Sequence, residues 1–93
     1  MHIRQLTLEF RLSGCRSLKE KRQRLGRLKD KFGRFPNLAV CEAKFQDSLQ
    51  RAQWSFIAVG SNGRIVEKTL MDLERSIQSD FDAELVRVDS VSL

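Results

Sequence analysis

The sequence predicts an α+β domain, a four-stranded antiparallel sheet with two helices on one face. Three observations predict it. His2–Leu12 alternates apolar and polar residues with a period of two. Ser17–Arg34 and the segment from Asn62 to about Ser79 carry apolar residues at helical spacing. The segments succeed one another as strand, helix, strand, strand, helix, strand, and 93 residues suffice for one such domain, 1–93, with no linker or repeat.

Each element has its own warrant. In His2–Leu12, Leu6, Leu8, Phe10 and Leu12 point one way, and Gln5, Thr7, Glu9 and Arg11 the other, as in a half-buried strand. Ser13–Arg16 is a short loop with Gly14 as its turn residue. Ser17 and Glu20 then form an S-x-x-E capping box. Leu18, Leu25, Leu28 and Phe32 make the apolar stripe of the first helix, Gly33 suits its end, and Pro36 forbids continuation. Asn37–Phe45 is a second strand, Gln46–Gln50 a short connection, and Arg51–Gly60 a third strand through Trp54, Phe56 and Ala58. Ser61 or Asn62 can cap the second helix, whose stripe is Val66, Leu70, Leu73 and Ile77. Glu84–Val91 is the last strand.

Both helices are amphipathic and must cover an apolar sheet face. Right-handed crossovers put them on the same face. The expected architecture is therefore ferredoxin-like βαββαβ with strand order 4-1-3-2. Leu6, Leu8, Phe10, Leu25, Leu28, Phe32, Trp54, Phe56, Leu70, Leu73 and Ile77 are expected to meet in one core. Since Phe10, Trp54 and Phe56 share that register, no aromatic stacking platform of the RNA-binding kind is expected on the open face.

Charge is concentrated in one place. Arg16–Arg34 holds nine basic residues against two acidic, while the remaining 74 residues hold eight against ten. The chain's net +5 is thus one basic helix on a slightly acidic body. Arg24, Arg27, Lys31 and Arg34 are read as a solvent-facing ridge opposite the stripe, and Glu20–Arg24 and Asp30–Arg34 as i,i+4 pairs. Arg16, Lys19, Lys21 and Arg22 crowd the helix start, where the macrodipole disfavours cations. An anionic partner would relieve them. Arg16, Lys19, Arg24, Arg27, Lys31 and Arg34 are the candidate phosphate contacts, with RNA or a ribosomal particle as the implied partner.

Composition excludes several classes. No apolar run reaches the length of a membrane span. The alternating N-terminus is unlike a signal peptide. Cys15 and Cys41 are far apart and read as free thiols of a cytoplasmic protein. His2 is the only histidine, so no metal site, cofactor site or Cys/His catalytic pair is expected.

The stretch Gly14–Arg22, G-C-R-S-L-K-E-K-R, together with Glu42, Gln46-Asp47 and Gln50-Arg51-Ala52, resembles the YlxP-like family of small bacterial proteins, a family of unknown function. The resemblance spans nearly the whole chain, with S-L-K-E-K-R as its most specific part. It implies a ferredoxin-like fold and, by genomic association, a link to translation and ribosome maturation. Ser48-Leu49 departs from the family pattern, where bulkier apolar residues are usual. So do Cys15 and Trp54, where small or aliphatic residues are commoner.

Three further groups are candidates. Ser13, Gly14 and Arg16, ahead of a helix N-terminus, form an anion loop. In outline that loop resembles acylphosphatases, but those enzymes need an asparagine on the neighbouring strand and Arg51–Gly60 has none. With no carboxylates set for acid–base work, the chain is read as a non-enzyme. Glu42, Gln46, Asp47, Gln50 and Arg51 make a polar corner between the second and third strands, with an expected Asp47–Arg51 pair. Ala39, Cys41, Ala43, Ile57 and Val59 make the open sheet face more apolar than water requires, which implies a homodimer through that face and, as the alternative function, an interaction module with no nucleic-acid role.

Overall fold

A computed structural model describes residues 1–93. The strands are β1 (His2–Arg11), β2 (Leu38–Lys44), β3 (Arg51–Gly60) and β4 (Glu84–Ser92). They form one antiparallel sheet in the order β2-β3-β1-β4, which is 4-1-3-2 read from the other edge. Register follows from parity. Leu6 lies opposite Phe56, Leu8 opposite Trp54, and Phe10 opposite Ala52, so one face collects the apolar side chains of both central strands.

The helical residues are α1 (Leu18–Leu25), α2 (Arg27–Phe32) and α3 (Gly63–Asp80). All are seated on that face: the inward residues of β1 and β3 form a single cluster with Leu25, Leu28, Phe32, Val66, Leu70, Leu73 and Ile77. Every residue expected in the core is buried. Asn62 caps α3, its Oδ1 accepting from the amides of Arg64 and Ile65 at 2.9 and 3.3 Å. No helix is long and apolar enough to cross a membrane.

The first helix differs from expectation in two ways. Its ladder lapses at Gly26, which separates α1 from α2 although φ −61° and ψ −23° remain helical there. The turn is tight: the Gly26 amide donates to the Arg22 carbonyl at 2.7 Å, and a Cβ at Gly26 would collide with that same oxygen. α1 reaches the corner after β2 through Lys21, while α2 packs on β2. The second difference is that Leu18 is 40% exposed, whereas Lys21 is buried at 5%. Lys21 stands one turn before Leu25 and two before Leu28, so it shares their inward face.

The two edges of the sheet are unequal. β2 ends in a bulge between Glu42 and Lys44, with Ala43 as the extra residue. On β4 the register shifts near its start, where Glu9 faces Arg87 and Phe10 faces Leu85. Beyond that point β4 runs regularly to Ser92, and Val88, on the helix side of the sheet, is 42% exposed.

Candidate functional site

The basic helix divides its cations into two sets. Arg24 does not face solvent: its side chain is 14% exposed. Its Nε donates to the Asp82 carbonyl at 2.7 Å and its Nη1 to the Ser13 carbonyl at 3.0 Å, with Glu20 at 3.4 Å and the Asp82 carboxylate at 3.3 Å. It therefore fastens the loop before α1 to the turn before β4. Lys31, seven residues on, occupies the same flank and donates to Ser76 and Asp80 of α3, both at 2.9 Å. Its ammonium also stands over the rings of Phe32 and Phe81. The expected ridge is thus corrected by a rotation: at about 100° per residue, Arg24 and Lys31 share one flank, Arg24 turned toward Ser13 and Asp82 and Lys31 toward α3, rather than outward. Asp30 and Arg34 form no ion pair.

The second set points into water. Arg16, Lys19, Arg22, Arg27, Lys29 and Arg34 are all exposed, and none has a carboxylate or hydrogen-bond partner. Only Arg27 has a neighbouring ring, Phe81, at 5.9 Å. Arg22 and Lys29 were not among the expected contacts. The signal that finds them is helical phase measured from the buried Lys21, Leu25 and Leu28, not from Leu18. Arg27, Lys29, Lys31 and Arg34, with Asp30 and Gly33, line a groove with no hydrophobic side chain.

Lys21 explains the polar corner. Its Nζ donates to the carbonyls of Phe45 and Ser48 at 2.7 and 2.8 Å and forms an ion pair with the Glu42 carboxylate at 3.2 Å. A buried charge is tolerable on those terms. The clamp also holds an unusual backbone: Phe45 has φ +64°, a conformation that costs a bulky residue about 1–3 kcal/mol. Its ring lies 3.8 Å beneath the Arg51 guanidinium. Arg51 pairs with Glu9 at 3.0 Å, and Asp47 makes no ion pair, so the expected Asp47–Arg51 bridge is replaced. Gln46 donates to the Glu42 carbonyl at 3.2 Å, and the Gln50 carbonyl accepts from Leu12 at 2.9 Å.

The segments that carry the family resemblance meet here. Lys21 and Arg22 of S-L-K-E-K-R border a cavity of about 150 Å³ with Leu18, Leu25, Glu42, Gln46 and Trp54. Glu42 Oε2 and Trp54 Nε1 are buried without hydrogen-bond partners, on directly opposed residues of β2 and β3. Glu42 is the one carboxylate lining this cavity, and Lys21 fastens the corner through its bonds to Phe45 and Ser48.

The Ser13–Arg16 loop turns at Gly14, with φ +71°. The Ser13 carbonyl is taken by Arg24, Cys15 is buried with its thiol toward the Ser17 carbonyl, and the Arg16 side chain is exposed. On the open sheet face, Ala39 and Cys41 are exposed while Ile57 and Val59 are half-buried. Its centre is polar: the hydroxyls of Thr7 and Ser55 bond across strands at 3.2 Å, and Gln5 donates to Thr7. Apolar exposure gathers instead toward β4 and the C-terminus, at Val91 and Leu93. Cys15 and Cys41 are free thiols.

Comparison with known proteins places this geometry. A structural-genomics protein, YJCS, superposes with a TM-score of 0.64 at 11% identity, covering 98% of each chain. SnoaB, a cofactor-independent oxygenase from Streptomyces nogalater, superposes with a TM-score of 0.55 at 10% identity, covering 98% of this chain and 90% of that one. At such identities the likeness is one of fold. No curated protein matches the chain. The model of a family described as "Protein of unknown function (DUF503)" matches residues 3–90, and the chain belongs to that family.

Proposed function

We propose that this DUF503 protein is a non-enzymatic cytoplasmic module that contacts RNA, or the RNA of a ribosomal particle, through the outer face of its basic helix. The observation that carries the reading is the division of cations. Three of the nine cations of Arg16–Arg34 are spent on intramolecular bonds, and the other six stand exposed with no acidic partner. A fold gains nothing by gathering unpaired like charges, which repel; a polyanion supplies the missing counter-charge. Without an aromatic platform on the open face, contact rests on phosphates and is indifferent to sequence.

Sedimentation of the native protein with ribosomal particles from cell extract tests this reading. The native chain should travel with the particles at low salt, and the variant with Arg16, Lys19, Arg22, Arg27, Lys29 and Arg34 changed to Ala should remain in the supernatant. Equal behaviour of the two chains would end the proposal.

A further inference from the structure

We propose that β4 is a self-pairing edge, joining antiparallel to β4 of a second copy about a two-fold axis at Val88 and continuing the sheet to eight strands. The proposal is independent of RNA contact.

Hydrogen-bonding direction comes first. The Leu93 amide donates to the Ile3 carbonyl at 2.8 Å, so Leu93 points its backbone groups toward β1. By the alternation of an antiparallel ladder, Val91, Asp89 and Arg87 do the same, while Val88, Ser90 and Ser92 direct theirs away from the sheet. Those outward groups have no partner within the chain.

Sequence symmetry comes second. A two-fold axis at Val88 sets Val88 against Val88, Arg87 against the second copy's Asp89, Asp89 against its Arg87, and Val86 against Ser90. Arg87 and Asp89 share the open face, lying opposite Glu9 and Thr7 of β1. A two-fold axis normal to the sheet keeps each face continuous, so these charges meet their complements twice. Within one chain the same two side chains already bond at 2.9 Å and remain exposed. The register is self-complementary only here; a shift by two residues opposes Arg87 to Arg87 or Asp89 to Asp89.

Protection comes third. Edges are normally blunted by proline, lysine, bulges or shortness. β2 follows Pro36, spans seven residues and ends in a bulge and Lys44. β4 spans nine residues and contains neither proline nor lysine; its one irregularity lies near its start, between Leu85 and Arg87, and it runs regularly from Arg87 to Ser92. Val86 and Val88 stay exposed on it, and no helix covers it as α3 covers β1 and β3.

The test is sedimentation of the whole chain from about 1 to about 200 µM, a range suited to an interface below about 1,200 Å². The native protein should be a dimer at the upper end. Arg87→Asp and Asp89→Arg, each putting two like-charged pairs across the axis, should weaken association by about tenfold or more. An equimolar mixture of the two variants should dimerise again, since each then supplies what the other lacks. Amide exchange at Val88 and Ser90 should slow as concentration rises. A native chain that is monomeric throughout, or single variants that associate like the native chain, would overturn the proposal. So would loss of the dimer in Ile57→Lys/Val59→Lys alone, which would move the contact to the open face.

Discussion

Two regions of one helix use the same residue types for opposite ends. On the inner side, Lys21, Arg24 and Lys31 find acceptors supplied by the rest of the fold: two strand-corner carbonyls, the carbonyls of Ser13 and Asp82, and the Ser76–Asp80 end of α3. On the outer side, Arg16, Lys19, Arg22, Arg27, Lys29 and Arg34 find no acceptor, and only Arg27 has a ring, Phe81, beside it. The difference lies in phase, not composition. A net charge of +7 over Arg16–Arg34 therefore overstates what an external anion meets and also hides the structural role of three cations.

The comparison breaks most sharply at Lys21. Changing Lys21 to Met leaves two carbonyls without their donor and the Glu42 carboxylate without its counter-charge, and breaking such a buried pair costs about 3–5 kcal/mol. Urea unfolding should show that loss. Adding Glu42→Gln should recover part of it, since the uncompensated carboxylate is then gone. A Lys21→Met protein as stable as the native would mean that the clamp contributes nothing.

Next comes the apolar floor beneath both sets. Leu28 is fully buried, and Leu28→Ala should cost about 2–5 kcal/mol, a result that near-neutral unfolding would contradict.

A smaller effect separates Lys31 from the outer cations by pH. The Lys31 hydrogen bond, aided by Ser79, the Lys31 charge and Ser76, holds the Asp80 carboxyl below its ordinary 3.8. A depressed folded value favours the carboxylate in the native state. That contribution is present above the unfolded value and disappears as pH falls through the folded one, below about 4. Asp80→Asn should therefore lose stability at pH 6 and little at pH 2, giving a flatter acid limb. An unchanged limb would detach Lys31 from Asp80.

What could be read from the sequence follows the same line. Strand order and all eleven core residues were legible because parity and helical period are local properties of Leu6–Leu12, Trp54–Ala58 and the two apolar stripes. The fate of each cation was not. The acceptors of Lys21 and Arg24 are backbone carbonyls, which carry no residue signature. Taking Leu18 as inward misplaced the helix phase, so Arg24 and Lys31 were assigned to water while Arg22 and Lys29 were passed over. Arg51 reaches Glu9 because the sheet register sets Glu9 opposite Gln53, diagonal to Arg51, a relation between two strands far apart in sequence. Gly26 offered a hint of the helix break, but the tight approach to the Arg22 carbonyl belongs to the folded backbone.

The division of cations itself is tested most directly by salt. Binding to a structured RNA is titrated against salt for three chains: the native protein, the outer variant with all six exposed cations changed to Ala, and the inner variant Arg24→Ala/Lys31→Ala. Each phosphate contact contributes roughly 0.7–0.9 to the slope of log affinity against log salt, so the outer variant should lose about 4–5 units of slope while unfolding like the native chain. The inner variant should unfold more easily yet keep the native slope. A slope lost in the inner variant and retained in the outer one would contradict the account.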